Sequence, residues 1–331
     1  MTDTTDTADL ELPALGMGCW SFAGGQYWGN QPKEDSIRTV HAALDVGVTL
    51  FDTSENYADD HHSEEVLGEA LAARRDEAII ATKVSTKHLR VDDVIEACDA
   101  SLRRLNTDRI DLYQIHWPNW DVPLEETSEA IGSLLDSGKI RAFGVCNFGP
   151  VDLTSLLEIR RPVSNQMAYN LLWRGVEDQV VPILLDQSID LMCYSPLAQG
   201  LLTGRYSSAD EVKGGLASSR IFSSGRETAG HDDPGFESEA FDAIELLLEL
   251  ARENSVAPAE LAISWLLSQP AVSTVLVGAQ RPSEIESMAA WIEGGTDHVS
   301  SAVDRLTDAG APLKAKLGGN LDMWVTGGRM R

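Results

Sequence analysis

The chain has 331 residues, 43% of them hydrophobic, which is too many for one small core and a length that barrels of alternating strands and helices reach as a single domain. Fifty-two acidic against 26 basic side chains give a formal charge of −26 spread along the whole sequence, which disfavours nucleic acid and anionic membranes as partners. No run reaches the roughly 18–20 apolar residues of a bilayer span, and the opening "MTDTTDTADLE" has neither the basic leader nor the apolar block of a secretory signal, so a soluble cytoplasmic protein is expected.

In chain order, residues 1–10 read as a flexible polar tail and residues 11–331 as one domain. Short apolar runs then recur as strand candidates: 14–20 "ALGMGCW", 48–52 "VTLFD", 78–84 "AIIATKV", 110–116 "IDLYQIH", 141–147 "RAFGVCN", 163–168 "VSNQMA", 190–196 "DLMCYSP" and 273–278 "STVLVG". Amphipathic stretches lie between them, such as 34–46, 92–105 and 123–137. In the second, Val94, Ala97, Cys98, Leu102 and Leu105 repeat at helical spacing and predict an inward face, with Asp92 as the cap. Pro123 stands at a predicted helix start, where its missing N–H costs nothing.

Eight strand-like runs alternating with helices predict a parallel sheet closed into a (β/α)8 TIM barrel of class α/β. A doubly wound dinucleotide fold needs a G-x-G-x-x-G turn after its first strand. Gly16 and Gly18 are followed by Trp20 and Ser21 where the third glycine belongs, so the barrel is favoured. Residues 203–235, rich in Gly and Ser and without periodicity, are too long for a plain connection and read either as a lid over a functional site or as a disordered loop, the lid being the favoured reading.

The charge and the cysteines add two expectations. Self-repulsion destabilises the compact state at low salt, and concentrated salt, with a Debye length of about 3 Å at 1 M, relieves it. A halophilic protein is therefore expected, with a melting temperature that rises between about 0.1 and 3 M KCl; an unchanged one contradicts this. Cys19, Cys98, Cys146 and Cys193 form no CxxC pair and are expected as free thiols.

Active sites of such barrels lie at the carboxyl ends of the strands. Those ends carry Asp52, Lys83, His116, Asn147, Gln166 and Tyr194, with Tyr57 in the loop after the second strand. A lysine inside "AIIATKV" is costly unless a carboxylate neutralises it, and Asp52 on the neighbouring strand is the partner. The ammonium is expected to lower the pKa of Tyr57, and His116 to place a substrate oxygen beside the tyrosine hydroxyl. Such a group donates a proton to an oxygen that gains negative charge, as when a carbonyl receives hydride.

The segments "FDTSENYA", "ATKVS", "DLYQIHWPN", "GVCNFGP", "NQMAYN", "YSPLAQGLLTGRY" and "VLVGAQRPSEIE", in order between about Leu12 and Trp291, resemble the aldo-keto reductase superfamily. The resemblance implies a barrel that binds NADP(H), less often NAD(H), and interconverts carbonyls (aldehydes, ketones or aldose sugars) and alcohols. Asp52, Tyr57, Lys83 and His116 would be its catalytic residues, Tyr57 the acid in reduction and the base in oxidation. Asn147, Gln166 and Cys146, the last where Ser is usual, would hold the nicotinamide carboxamide. Tyr194 would stack on the ring, and Ser195, Leu197 and Arg205 would line the pyrophosphate, with Arg220 a further basic residue from the long loop. Gly278, Ala279, Gln280, Arg281 and Glu284 would face the adenosine end. Glu284 stands where Arg or Gln commonly meets the 2′-phosphate, and Ser287 and Met288 replace the usual Glu-Asn. NADP(H) is favoured through Arg281, with NAD(H) the alternative. Some members of this superfamily are instead nicotinamide-binding regulatory subunits, which is the alternative function.

Two further features need placing. "YADDHHSEE", with Asp59, Asp60, His61 and His62, reads as a solvated loop and not a metal site. Trp20, Trp28, Trp117, Trp120 and Trp324 are candidates either for lining a substrate pocket or for ordinary packing.

Overall fold

The computed structural model of the protein describes residues 10–58 and 62–331. The tail expected over residues 1–10 lies outside these except for its last residue, and so do Asp59, Asp60 and His61 of the acidic turn. The strands are β1 (Leu15–Gly18), β2 (Leu50–Asp52), β3 (Ile79–Val84), β4 (Ile110–Ile115), β5 (Ile140–Cys146), β6 (Ser164–Ala168), β7 (Asp190–Tyr194) and β8 (Val272–Gly278). Each pairs in parallel with the next, and β8 returns to β1, so the sheet closes as the expected (β/α)8 barrel.

The helices run from α1 (Gly25–Trp28) through α2 (Lys33–Asp45), α3 (His62–Leu71), α4 (Val91–Arg104), α5 (Leu124–Asp136), α6 (Pro150–Leu157) and α7 (Val180–Gln187). They continue with α8 (Glu237–Asn254), α9 (Pro258–Leu267), α10 (Pro282–Glu293), α11 (Ser300–Ala309) and α12 (Ala311–Leu317). In α4 the predicted face, Val94, Ala97, Cys98 and Leu102, is buried. Its cap differs from expectation: the N-cap is Arg90, and Asp92 and Asp93 lie in the first turn. There their carboxylates meet the positive end of the helix dipole, as Arg103 and Arg104 meet the negative end. None of the described helices is long and apolar enough to cross a membrane.

Side chains alternate across each strand, so residues two apart share the barrel interior. Leu50, Ala81, Leu112, Ala142, Met192 and Leu276 form one apolar interior layer. Two residues further along the strands stand Asp52, Lys83, Gln114, Gly144, Tyr194 and Gly278, a polar layer at the carboxyl ends. The layering depends on two glycines. A Cβ at Gly16 would lie 2.7 Å from a Leu276 methyl and 2.8 Å from a Leu50 methyl. One at Gly144 would lie 2.7 Å from Ser164 Oγ and 3.2 Å from Gln114 Cγ, so Gly144 is what admits Gln114 to the interior.

Several strands stop short of their predicted ends because the chain turns sharply where the polar layer begins. Asn147 after β5 has φ 61° and Ser195 after β7 has φ 52°, both outside strand geometry. The 203–235 segment contains tight turns at Ala209–Glu211 and Gly214–Ser218, and the second packs against α1. The segment therefore runs from the β7 side of the barrel mouth to the β1 side.

Candidate active site

At the carboxyl ends of the strands a cleft of about 1000 Å³ opens. Its floor is built on one lysine. Lys83 is fully buried on β3, and its ammonium donates to Asp52 Oδ1 at 2.6 Å, to the Thr53 carbonyl at 2.7 Å and to Tyr57 Oη at 3.0 Å. All three N–H groups are used, which is what a charge buried at this depth requires. Burial opposes that charge, but the Asp52 carboxylate and the Tyr57 oxygen outweigh it and hold the lysine above its ordinary pKa.

Asp52 is satisfied on its other side. Gln166 Nε2 donates to Asp52 Oδ2 at 2.8 Å and Gln114 Nε2 at 3.2 Å, while Gln114 Oε1 accepts from the Cys146 thiol at 3.5 Å. Cys146, the last residue of β5, is thus buried against Gln114 and is not among the residues lining the cleft; burial first of all pushes its thiol pKa up. Gln114 was absent from the expected set although it lies two residues before His116. The alternation of "DLYQIH" puts both on the interior face.

Tyr57 lines the cleft, and here expectation and structure differ. Burial raises its pKa to about 12 against the lowering effect of Lys83, so the phenol is held protonated. His116 lines the cleft with its ring 5.9 Å from that of Tyr57, edge to face. Burial, then Lys83 and Arg329, press its pKa well below 6.5, so the imidazole is neutral at pH 7. His116 Nδ1 lies 3.1 Å from Ser54 Oγ, a second group that sequence reasoning missed.

The remaining expected residues divide. Asn147, Gln166, Tyr194, Ser195, Leu197, Arg205, Gly278, Gln280, Arg281 and Glu284 all line the same cleft. Asn147 donates to the His116 carbonyl at 3.0 Å and accepts from the Tyr194 hydroxyl at 2.9 Å, which fixes that ring in the wall. Gly278 has open space where a Cβ would stand. Glu284 Oε2 accepts the Gln280 and Arg281 backbone N–H groups at 2.8 and 3.3 Å, while Oε1 takes the Arg281 guanidinium at 2.7 Å.

Arg220 is a correction, because it does not reach the cleft. It is buried, ion-paired with Asp233, and its guanidinium donates to the Asp322 carbonyl at 3.1 Å. Its backbone N–H donates to the Met323 carbonyl at 2.9 Å, so it ties the long segment to the C-terminal one. That C-terminal segment supplies Trp324 to the cleft, beside Trp20, Trp28 and Trp117. Trp120 instead stays 48% exposed, with the Arg331 guanidinium 4.2 Å over its ring. Trp20 meets Trp28 at 5.4 Å and Tyr57 at 6.2 Å between ring centres, which makes an aromatic wall at the tyrosine.

A protonated phenol, a neutral imidazole and a buried ammonium at one end of a long cleft can deliver a proton to an oxygen that gains charge. The rest of the cleft, with amides at Asn147 and Gln166, a tyrosine ring, and cations at Arg205 and Arg281, suits an elongated anionic ligand with an aromatic head. Comparison with known proteins agrees with this. The profile of the Aldo/keto reductase family matches residues 14–303. The aldo-keto reductase YhdN of Bacillus subtilis is 35% identical over 302 residues, covering 87% of each chain. The NADH-specific methylglyoxal reductase of Escherichia coli is 28% identical over 94% of this chain and 96% of its own. The crystal structure of an aldo-keto reductase from Klebsiella pneumoniae in complex with NADPH superposes with a TM-score of 0.70 at 27% identity, over 91% of this chain and 94% of that one.

Proposed function

The chain belongs to the aldo/keto reductase family and is an oxidoreductase of carbonyl compounds; we propose that it interconverts a small aldehyde, ketone or aldose with its alcohol by NAD(P)(H), with Tyr57 as the proton donor and acceptor. The observation that carries the reading is the chain of contacts Tyr57–Lys83–Asp52 ending at a phenol in the cleft wall. When bound, the dinucleotide supplies or accepts hydride at its nicotinamide.

The protein's part is electrostatic and positional. Tyr57 gives its proton to the substrate oxygen as that oxygen becomes an alkoxide. Lys83 stabilises the phenolate left behind, because its ammonium already touches the oxygen. Asp52 keeps Lys83 charged and aimed, and is itself held by Gln114 and Gln166. His116, neutral, offers a hydrogen bond to the same substrate oxygen. In the reverse direction Tyr57 accepts the alcohol proton, so oxidation is favoured by alkaline pH. Tyr194, Asn147 and Gln166 serve as the nicotinamide seat, Ser195, Leu197 and Arg205 line the pyrophosphate, and the 203–235 segment covers it.

NADP(H) is the favoured coenzyme, with NAD(H) also accepted, and the Arg281–Glu284 pair sets the balance. A 2′-phosphate has to compete with Glu284 for the guanidinium, whereas a free ribose hydroxyl does not. Glu284→Gln keeps a capping oxygen for the backbone N–H groups and removes the competing charge. The ratio of kcat/KM for NADPH over NADH is expected to rise by roughly tenfold; an unchanged ratio contradicts the assignment.

The reading as a whole is tested by turnover of a panel of aldehydes and aldoses with each coenzyme, at low and high salt. Coenzyme-dependent reduction is the expected result. Tight coenzyme binding without turnover of any carbonyl or alcohol rejects it in favour of a regulatory role.

A further inference from the structure

We propose that Ser54 is a positioning residue that holds the neutral His116 ring in the tautomer with its proton on Nε2, so that the ring presents an N–H to the cleft. The proposal rests on the proposed role of His116 toward the substrate oxygen, but its first test does not depend on turnover.

The argument is one of hydrogen-bond satisfaction. Ser54 is fully buried and stands two residues after Asp52. Its Oγ accepts the Asn56 backbone N–H at 3.2 Å and lies 3.1 Å from His116 Nδ1. A serine hydroxyl has one proton to donate and two lone pairs. If Nδ1 carried the ring proton, Oγ would accept from both Nδ1 and Asn56. Its own proton would then lack an acceptor among the described residues, on a side chain closed off from solvent. A buried donor left unpaired costs more than a neutral hydrogen bond gains. With the proton on Nε2, the hydroxyl donates to Nδ1 and accepts from Asn56, and every group is satisfied.

The other ring nitrogen has no hydrogen-bond partner among the described residues, and His116 lines the cleft. The tautomer therefore decides what a substrate meets there. Nε2–H attracts a carbonyl oxygen; a bare Nε2 lone pair repels it. Burial first, then the charges of Lys83 and Arg329, keep the ring neutral, so protonating both nitrogens is not an alternative route to a donor. The Tyr57 ring packs edge to face against it and holds its plane.

The test uses the full chain with histidine labelled in 15N. The His116 signals are assigned by their loss in His116→Gln, which must leave the other signals in place. Wild type is expected to show a pyridine-type Nδ1 and a pyrrole-type Nε2 for His116. The reverse pattern overturns the proposal whatever the activity. Ser54→Ala is expected to shift the tautomer ratio toward Nδ1–H. It should also raise KM and lower kcat/KM for the carbonyl by roughly ten- to a hundredfold, with the coenzyme Kd unchanged, the scale of one lost donor to a developing charge. Ser54→Thr, which keeps the hydroxyl, restores the wild-type nitrogen pattern and most of kcat/KM. An unaltered tautomer in Ser54→Ala, or equal losses in the Ala and Thr variants, rejects Ser54 as the cause. Failure of Tyr57→Phe to impair catalysis would reject the proposed function, and the nitrogen pattern would still decide whether Ser54 sets the tautomer.

Discussion

Tyr57→Phe is expected to lower kcat/KM for carbonyl reduction by roughly 10²–10⁴-fold, the range of a lost general acid, while the coenzyme Kd stays within about twofold. The substitution removes one oxygen and keeps the ring. The ring contacts with Trp20 and His116 survive, so the wall of the cleft is preserved. Lys83 loses one of three acceptors and retains Asp52 and the Thr53 carbonyl, so the fold is little affected. Loss therefore falls on proton delivery and not on binding. Quenching of tryptophan fluorescence by the coenzyme, with Trp20 and Trp28 in the cleft wall, measures the Kd; stopped-flow absorbance measures the hydride step. A variant that transfers hydride at near wild-type rate removes Tyr57 from its role.

The second large effect is expected at Lys83, and it strikes stability as well as chemistry. Lys83→Met leaves the Asp52 carboxylate buried with only the two glutamine amides as donors. Breaking a buried pair in this way costs about 3–5 kcal/mol, because the remaining charge has no counter-charge. Activity should also fall by roughly 10²-fold or more, since nothing then stabilises the Tyr57 phenolate. The two losses separate in Lys83→Met with Asp52→Asn. With the charge gone from both sides, the double variant should recover most of the stability lost in the single one, measured by urea unfolding. It should recover none of the activity. A double variant as unstable as the single one contradicts the charge argument; one that regains activity contradicts the catalytic one.

Much of this site was legible before the fold was known because two sequence patterns coincide in it. A strand buried on both faces reads as a continuous apolar run, so a lysine in "AIIATKV" or an aspartate ending "VTLFD" stands out as a residue that needs a partner. Strand alternation then groups such residues on the interior face. The same rule, applied two residues before His116, would have found Gln114, and two residues after Asp52 it points to Ser54. What could not be read locally depends on depth and on distant chain. Tyr57 was expected to have its pKa lowered by Lys83, but the sign turns on how far burial outweighs one neighbour, and no local pattern encodes that. Arg220 was expected as a cofactor ligand through its likeness to a basic residue of the family's long loop; its partners are Asp233 and backbone about a hundred residues away. The Asp92 cap failed by a shift in helix start, since Arg90 is already extended and Val91 already helical.

The central claim is that the proton comes from a phenol and not from an imidazolium, and the pH dependence of carbonyl reduction separates the two. An acid works only while protonated, so the rate falls as pH rises through its pKa. Tyr57, held up at about 12, keeps its proton throughout the neutral range, whereas His116 lies well below 6.5 and has already lost its second one. The account predicts that kcat/KM for aldehyde reduction stays level from about pH 6 to 9 and bends downward only in the alkaline range. A decline of about tenfold per pH unit beginning near or below pH 6.5 would contradict it and make His116 the acid.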